Sequence, residues 1–156
     1  NGDGSFEAIP GQTSGIQVYG EQRASALSDY DEDGRVDLVV TQNGALTKLF
    51  RNTTAKPGLR VRLAGLKTNP NGIGAVIRLV FGARRGPARS IQAGSGYWSQ
   101  DSSVAVMATP EPATGIWVRW PGGKVTTAEI PKNAHEITLD PQGNVKVGNV
   151  VAANAK

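Results

Sequence analysis

The chain has 156 residues with 20 glycines, 9 prolines, no cysteine and a net charge of +4. That length suits one medium domain or two small ones, and the lack of cysteine excludes disulfides, thiolate catalysis and zinc sites built on cysteine. No apolar run approaches the about 20 residues of a membrane-spanning helix. The charge is unevenly divided. Residues 1–57 hold five Lys/Arg against eight Asp/Glu, a balance of −3, and residues 58–156 hold twelve against five, a balance of +7. The break falls at Ala55-Lys56-Pro57-Gly58, a linker-like stretch that predicts a boundary.

In chain order, the first strong signal is Asp29-Tyr30-Asp31-Glu32-Asp33-Gly34-Arg35-Val36-Asp37. Its aspartates stand at positions 1, 3, 5 and 9 of the run, with a glycine at position 6. Carboxylates so close together repel unless a cation or partner neutralises them. An alternating run with a bend that glycine permits points successive oxygens at one place, which suits Ca²⁺. Asp29, Asp31, Asp33 and Asp37 are the expected side-chain ligands. Arg35 is expected to give its backbone carbonyl, with its side chain turned away and Glu32 in solvent. An EF-hand places a bidentate Glu at position 12, between helices. Here that position is Val40, within the β-branched run Val36–Val40, so the loop is expected between strands. A solvated Asp/Gly turn is the alternative.

Asp29 to Val40, followed by Thr41 and Leu49-Phe50-Arg51-Asn52, resembles the calcium-binding FG-GAP or VCBS repeat of integrin-like β-propellers. Asn1-Gly2-Asp3-Gly4-Ser5-Phe6 looks like the end of a preceding repeat. The resemblance covers residues 1 to 54 and implies one blade of a propeller. Asn52-Thr53-Thr54 fits a glycosylation acceptor triplet.

From Gly58 the runs alternate. Leu59, Val61 and Leu63 fall on one face of a strand and Arg60 and Arg62 on the other. Further strands are expected at 73–81, 89–93, 102–107, 116–120, 125–130 and 136–139, with Arg84-Arg85-Gly86 as a hairpin connection. Strands of this number and length point to a β-sandwich or small barrel. Gly94-Ser95-Gly96-Tyr97-Trp98-Ser99-Gln100 is a glycine-rich turn. Its Tyr97 and Trp98 either form a stacking platform for a sugar or another flat ligand or plug the end of the sandwich. Trp117 and Trp120 differ by three, so a regular strand puts them on opposite faces. Trp120 is a third candidate for ligand stacking.

Thr68-Asn69 through Ile73-Gly74-Ala75, then the Gly94–Gln100 turn, then Val118-Arg119-Trp120-Pro121-Gly122-Gly123 resemble the ASPIC/UnbV domain in order and spacing. The resemblance covers residues 58 to 140. In that family the domain commonly follows FG-GAP repeats. Ala108–Ala113 departs from the family's short Gly-Leu-Gly turn.

Catalytic chemistry is sparse. His135 is the single histidine, and there is no nucleophile elbow, phosphate loop or dinucleotide fingerprint. No catalytic residue is assigned. The arginines at 60, 62, 78, 84, 85 and 89 form either a patch for an anionic polymer or scattered solvated charges. No nucleic-acid reading motif accompanies them.

The expectation is therefore an all-β chain: a partial propeller blade over 1–57, a β-sandwich or small barrel over 58–147, and a tail over 148–156. Its expected role is that of an extracellular or cell-surface module, a periplasmic setting included. It would bind Ca²⁺ and serve adhesion, assembly or ligand binding. Expected partners are other chains, propeller repeats or copies of itself in an oligomer or filament, with carbohydrate as a further candidate. The alternatives are an accessory or catalytic part of a biosynthetic enzyme, as UnbV-type resemblance implies, and a carbohydrate-binding module.

Overall fold

The computed structural model describes residues 5–148. The repeat-like turn expected at Asn1–Gly4 and the tail expected beyond Gly148 lie outside the described residues. The chain is all-β, with one short helical turn among the described residues, α1 (Gly11–Ser14).

The first sheet is an antiparallel meander of β1 (Gln22–Ser28), β2 (Asp37–Gln42) and β3 (Lys48–Phe50), in the order β1-β2-β3. The aspartate loop joins β1 to β2, between strands as its β-branched sequel predicts. The rest of the described chain forms two sheets. One contains β4 (Leu59–Leu63), β8 (Ala105–Met107), β11 (Glu136–Leu139) and β12 (Val145–Val147), in the order β12-β11-β4-β8. The other contains β5 (Val76–Phe81), β6 (Arg84–Arg85), β7 (Arg89–Ser90), β9 (Gly115–Arg119) and β10 (Val125–Glu129). There β10, β9 and β5 run side by side, and β6 and β7 both pair with β5. Among the described residues no strand pair links the two sheets, so this is an open sandwich and not a closed barrel.

The sandwich core follows from the alternation. Val61 and Leu63 of β4 and Ile137 and Leu139 of β11 face Ile77 and Leu79 of β5 and Ile116 and Val118 of β9, all buried. Burying each such side chain contributes about 1.5–3 kcal/mol. β4 and β11 run parallel, Val61 beside Ile137, although 76 residues separate Arg60 from its partner Glu136. No residue of the first sheet belongs to this core cluster.

Three sequence expectations are corrected. Arg84 and Arg85 lie inside β6, and the turn is made at Gly82-Ala83, where Gly82 takes a positive φ of 59°. Trp120 is buried, its indole N–H donating to Thr126 Oγ1 at 3.0 Å, so it is a core residue and offers no face to a ligand. Trp117 is half-buried with Arg85 above its ring, so the two tryptophans do lie on opposite faces. Tyr97 and Trp98 are 64% and 77% exposed and plug nothing.

The turn at 69–75 owes its form to Asn69, whose carboxamide accepts from Ile73 N–H and donates to Ile73 O, both at 2.8 Å. Gly72 in the same turn has φ 65°, and a Cβ there would meet Leu63 at 2.8 Å.

Candidate metal centre

The loop from Asp29 to Asp37 is shaped by its own carboxylates. Asp29 accepts from Asp33 N–H at 3.0 Å and Gly34 N–H at 2.9 Å. Asp37 accepts from Tyr30 N–H at 3.2 Å and from Asn52 N–H at 2.7 Å, which ties the loop to the end of β3. Glu32 and Gly34 take positive φ, 61° and 82°, so the chain turns twice within three residues. The glycine is needed twice over. Beyond its φ, a Cβ on Gly34 would meet Gly58 O at 3.0 Å and Pro57 Cβ at 3.1 Å.

One ligand oxygen each from Asp29, Asp31 and Asp37 lie within 4.8 Å of one another. Asp29 and Asp37 are buried and Asp31 is half-buried. Oδ1 of Asp31 is buried and accepts no hydrogen bond. Asp33 lies outside this trio. It accepts from Arg35 N–H at 2.9 Å and pairs with Arg35 Nη1 at 2.8 Å and Arg51 Nη2 at 3.6 Å. Of the four expected carboxylates, the structure brings three together and engages Asp33 with arginines. The expectation for the Arg35 side chain is corrected. It folds back over the loop and donates to Ala55 O at 2.7 Å.

Arginine supplies the local counter-charge. Arg51 Nε sits 2.7 Å from Asp31 Oδ2, and the Asp31 charge raises the Arg51 pKa. Arg60 comes from β4. Its guanidinium reaches Asp29 Oδ2 at 2.5 Å, Glu32 Oε1 at 3.2 Å and Glu136 Oε2 at 2.7 Å. It also donates to the Asp29 carbonyl at 3.3 Å. Arg60 is buried, and burial alone would lower its pKa. The hydrogen bonds it donates to Glu136 and Asp29 reverse this and raise it. Burial would likewise raise Glu136, yet the bond and charge of Arg60, helped by Arg62, hold its carboxyl below the ordinary carboxylate range. The solvated-arginine reading therefore fails for Arg60. No local sequence signal marks it, because its partners lie 31 and 76 residues away. Arg51, Asn52 and Glu136 stand in named segments of the sequence, but nothing local assigns them to this site. The surplus of acid in the first segment was the one hint that arginines must gather there.

The charges do not balance. Asp29, Asp31, Glu32, Asp33 and Asp37 face Arg35, Arg51 and Arg60, leaving two more carboxylates than guanidiniums, with Glu136 shared by Arg60 and Arg62. A buried carboxylate oxygen with no donor is costly unless a cation meets it. The donor set is all hard oxygen, so the residues present fit a bound Ca²⁺.

Asn52 is engaged as well. Its Oδ1 accepts from Thr54 and Ala55 N–H at 3.3 and 3.1 Å, and its Nδ2 donates to Val36 O at 3.3 Å. His135 offers its carbonyl to Arg60 N–H at 2.9 Å.

Fold and site together define an open β-sandwich with an acidic loop module docked at its flank. Residues 65–146, just over half of the chain, match the ASPIC and UnbV family, and the chain belongs to it. It is also similar to cartilage acidic protein 1 of Xenopus tropicalis, 26% identical over 139 residues covering 86% of this chain. The chain spans about a fifth, 21%, of that relative's length.

Proposed function

We propose that the chain is an extracellular, calcium-stabilised interaction module without catalytic activity of its own. Asp29, Asp31 and Asp37 would hold the ion, with the Arg35 carbonyl as a further ligand. The observation that carries this reading is Asp31 Oδ1, buried and unpaired beside two other carboxylates. Bound Ca²⁺ would cancel the surplus negative charge and brace the joint between the first sheet and β4, because Asp29 also holds Arg60. The likeness of the loop to FG-GAP or VCBS repeats agrees with it. The similarity to a protein named for cartilage supports a place outside the cell.

Apolar side chains left open on the first segment support a protein partner, either another repeat or a second copy. Ile16, Leu46 and Leu49 are 45%, 86% and 53% exposed. The test is calorimetry of the intact chain with Ca²⁺ against Mg²⁺, repeated with Asp31→Ala. Saturable Ca²⁺ binding that the substitution abolishes supports the reading, and no Ca²⁺-dependent heat would sink it.

A further inference from the structure

The turn from Gly94 to Asp101 lies outside the core cluster and the acidic loop, and its end docks on β1, where Asp101 Oδ1 accepts from Leu27 N–H at 2.8 Å. Gly96 and Ser99 form a bridge, Ser95 N–H donates to Ser99 O at 3.1 Å, and Asp101 N–H donates to Ser95 Oγ at 2.8 Å. This well-fixed turn holds Trp98 at φ 54°, in the left-handed region that bulky side chains avoid. The strain yields no burial, since the indole is 77% exposed. Backbone strain of this kind persists where the surrounding structure imposes it, and it gathers at binding sites.

Tyr97 stands beside it, 64% exposed, with ring centroids 5.9 Å apart and planes tilted by 57°. Arg23 of β1, in the first sheet, fixes Tyr97. Its guanidinium lies 5.1 Å from the ring centroid and its Nη2 donates to the phenol oxygen at 3.3 Å. Ser95 and Asp101 of the same turn also line a cleft of about 240 Å³ with Arg89, Gln92 and Ser102.

We propose that this turn is a carbohydrate-binding platform. A sugar ring stacks its apolar face on Trp98, the next residue of the glycan abuts Tyr97, and hydroxyls meet the polar side chains of the adjoining cleft. Sugars present both an apolar ring face and a rim of hydroxyls, and two exposed aromatics on a turn whose Ser95 and Asp101 line a polar cleft match both. The polar lining disfavours an apolar peptide. The tilt between the rings suits a glycan that twists from one residue to the next more than a flat ribbon.

The test titrates the full chain, with Ca²⁺ present throughout, with cellohexaose, chitohexaose, maltohexaose and a heparin-derived hexasaccharide. The readout is the indole N–H resonances of the three tryptophans. At least one glycan is expected to shift the Trp98 signal and leave buried Trp120 unmoved. Trp98→Gly is the decisive variant, because glycine accepts the positive φ and the fold is kept. It is expected to lower affinity by about tenfold or more, the loss of one stacking contact, with the melting temperature unchanged or raised. If no glycan of the panel shifts Trp98, or if Trp98→Gly binds as tightly as the parent, the proposal is overturned. The acidic and neutral sugars separate a role for Arg23 and Arg89 from stacking alone.

Discussion

At the scale of single residues, the acidic loop separates candidate ligands from scaffold. Asp31 keeps an unpaired buried oxygen, whereas Asp33 spends its carboxylate on Arg35 and Arg51. Asp31→Asn is therefore expected to weaken Ca²⁺ binding by about tenfold or more, since it removes a charged ligand, and Asp33→Asn much less. Calorimetry on both variants checks the order, and equal losses would put Asp33 among the ligands. Arg60 has a different role. Its side chain is 6% exposed, against 2% for Asp29 and 19% for Glu136. Arg60→Met takes from Asp29, Glu32 and Glu136 the cation they share and should cost about 3 kcal/mol in chemical denaturation, the ordinary cost of breaking a buried pair. Glu136 also sets a pH dependence. Its folded pKa lies below the ordinary value of 4.5, so its contribution is complete above that value and fades as pH falls through the lower folded value. The stability gap between the parent and Glu136→Gln should thus be constant near neutrality and shrink below about pH 4.5. A gap unchanged down to the acid limit would show that Arg60 does not depend on the Glu136 charge.

At the scale of elements, what could be read from the sequence was what is local. The alternation of Leu59, Val61 and Leu63 gives β4, and Glu136–Leu139 lies where the pattern put it, because period-2 burial needs no knowledge of partners. The aspartate loop is legible for the same reason, since its spacing is its geometry. Strand pairing is not local. Nothing in the sequence joins β4 to β11 in parallel, and the short β12 carries too few apolar residues to announce itself. Arg60 misled the reading because alternation assigns it to the solvent face, while the first sheet's loop covers that face. Gly34 links the two kinds of information. Its positive φ was legible from the turn, and its contact with Pro57 and Gly58 was not. Gly34→Ala should destabilise the chain by about 1–3 kcal/mol, the range for a strained left-handed residue, and should weaken Ca²⁺ binding by loosening the loop. Thermal melts with and without Ca²⁺ would show it. A variant as stable as the parent would mean that the loop and the linker can move apart without penalty.

At the scale of the whole molecule, stability is unevenly placed. The apolar core lies wholly between the two sandwich sheets, while the first sheet contributes one buried aliphatic, Val40, outside that cluster. It is held to the sandwich by polar contacts. Arg60 grips Asp29, Gly58 N–H donates to Gly34 O at 2.8 Å, and Leu27 exchanges bonds with Asp101 and Ser102 at 2.8 and 2.9 Å. Polar contacts of this kind contribute about 0.5–1.5 kcal/mol each, less than core burial, and regions short of apolar contact open first. Hydrogen exchange should therefore find β1 to β3 exchanging faster than β4, β5, β9 and β11. Ca²⁺ is expected to slow the first sheet and leave the sandwich nearly unchanged, because an ion among Asp29, Asp31 and Asp37 binds the docked loop in preference to the open one. Chelation should reverse the effect. Uniform protection across all three sheets would show one cooperative unit, and the polar joint would then be as strong as the core. Slowing confined to the sandwich would place the ion elsewhere and remove the loop from the account of stability.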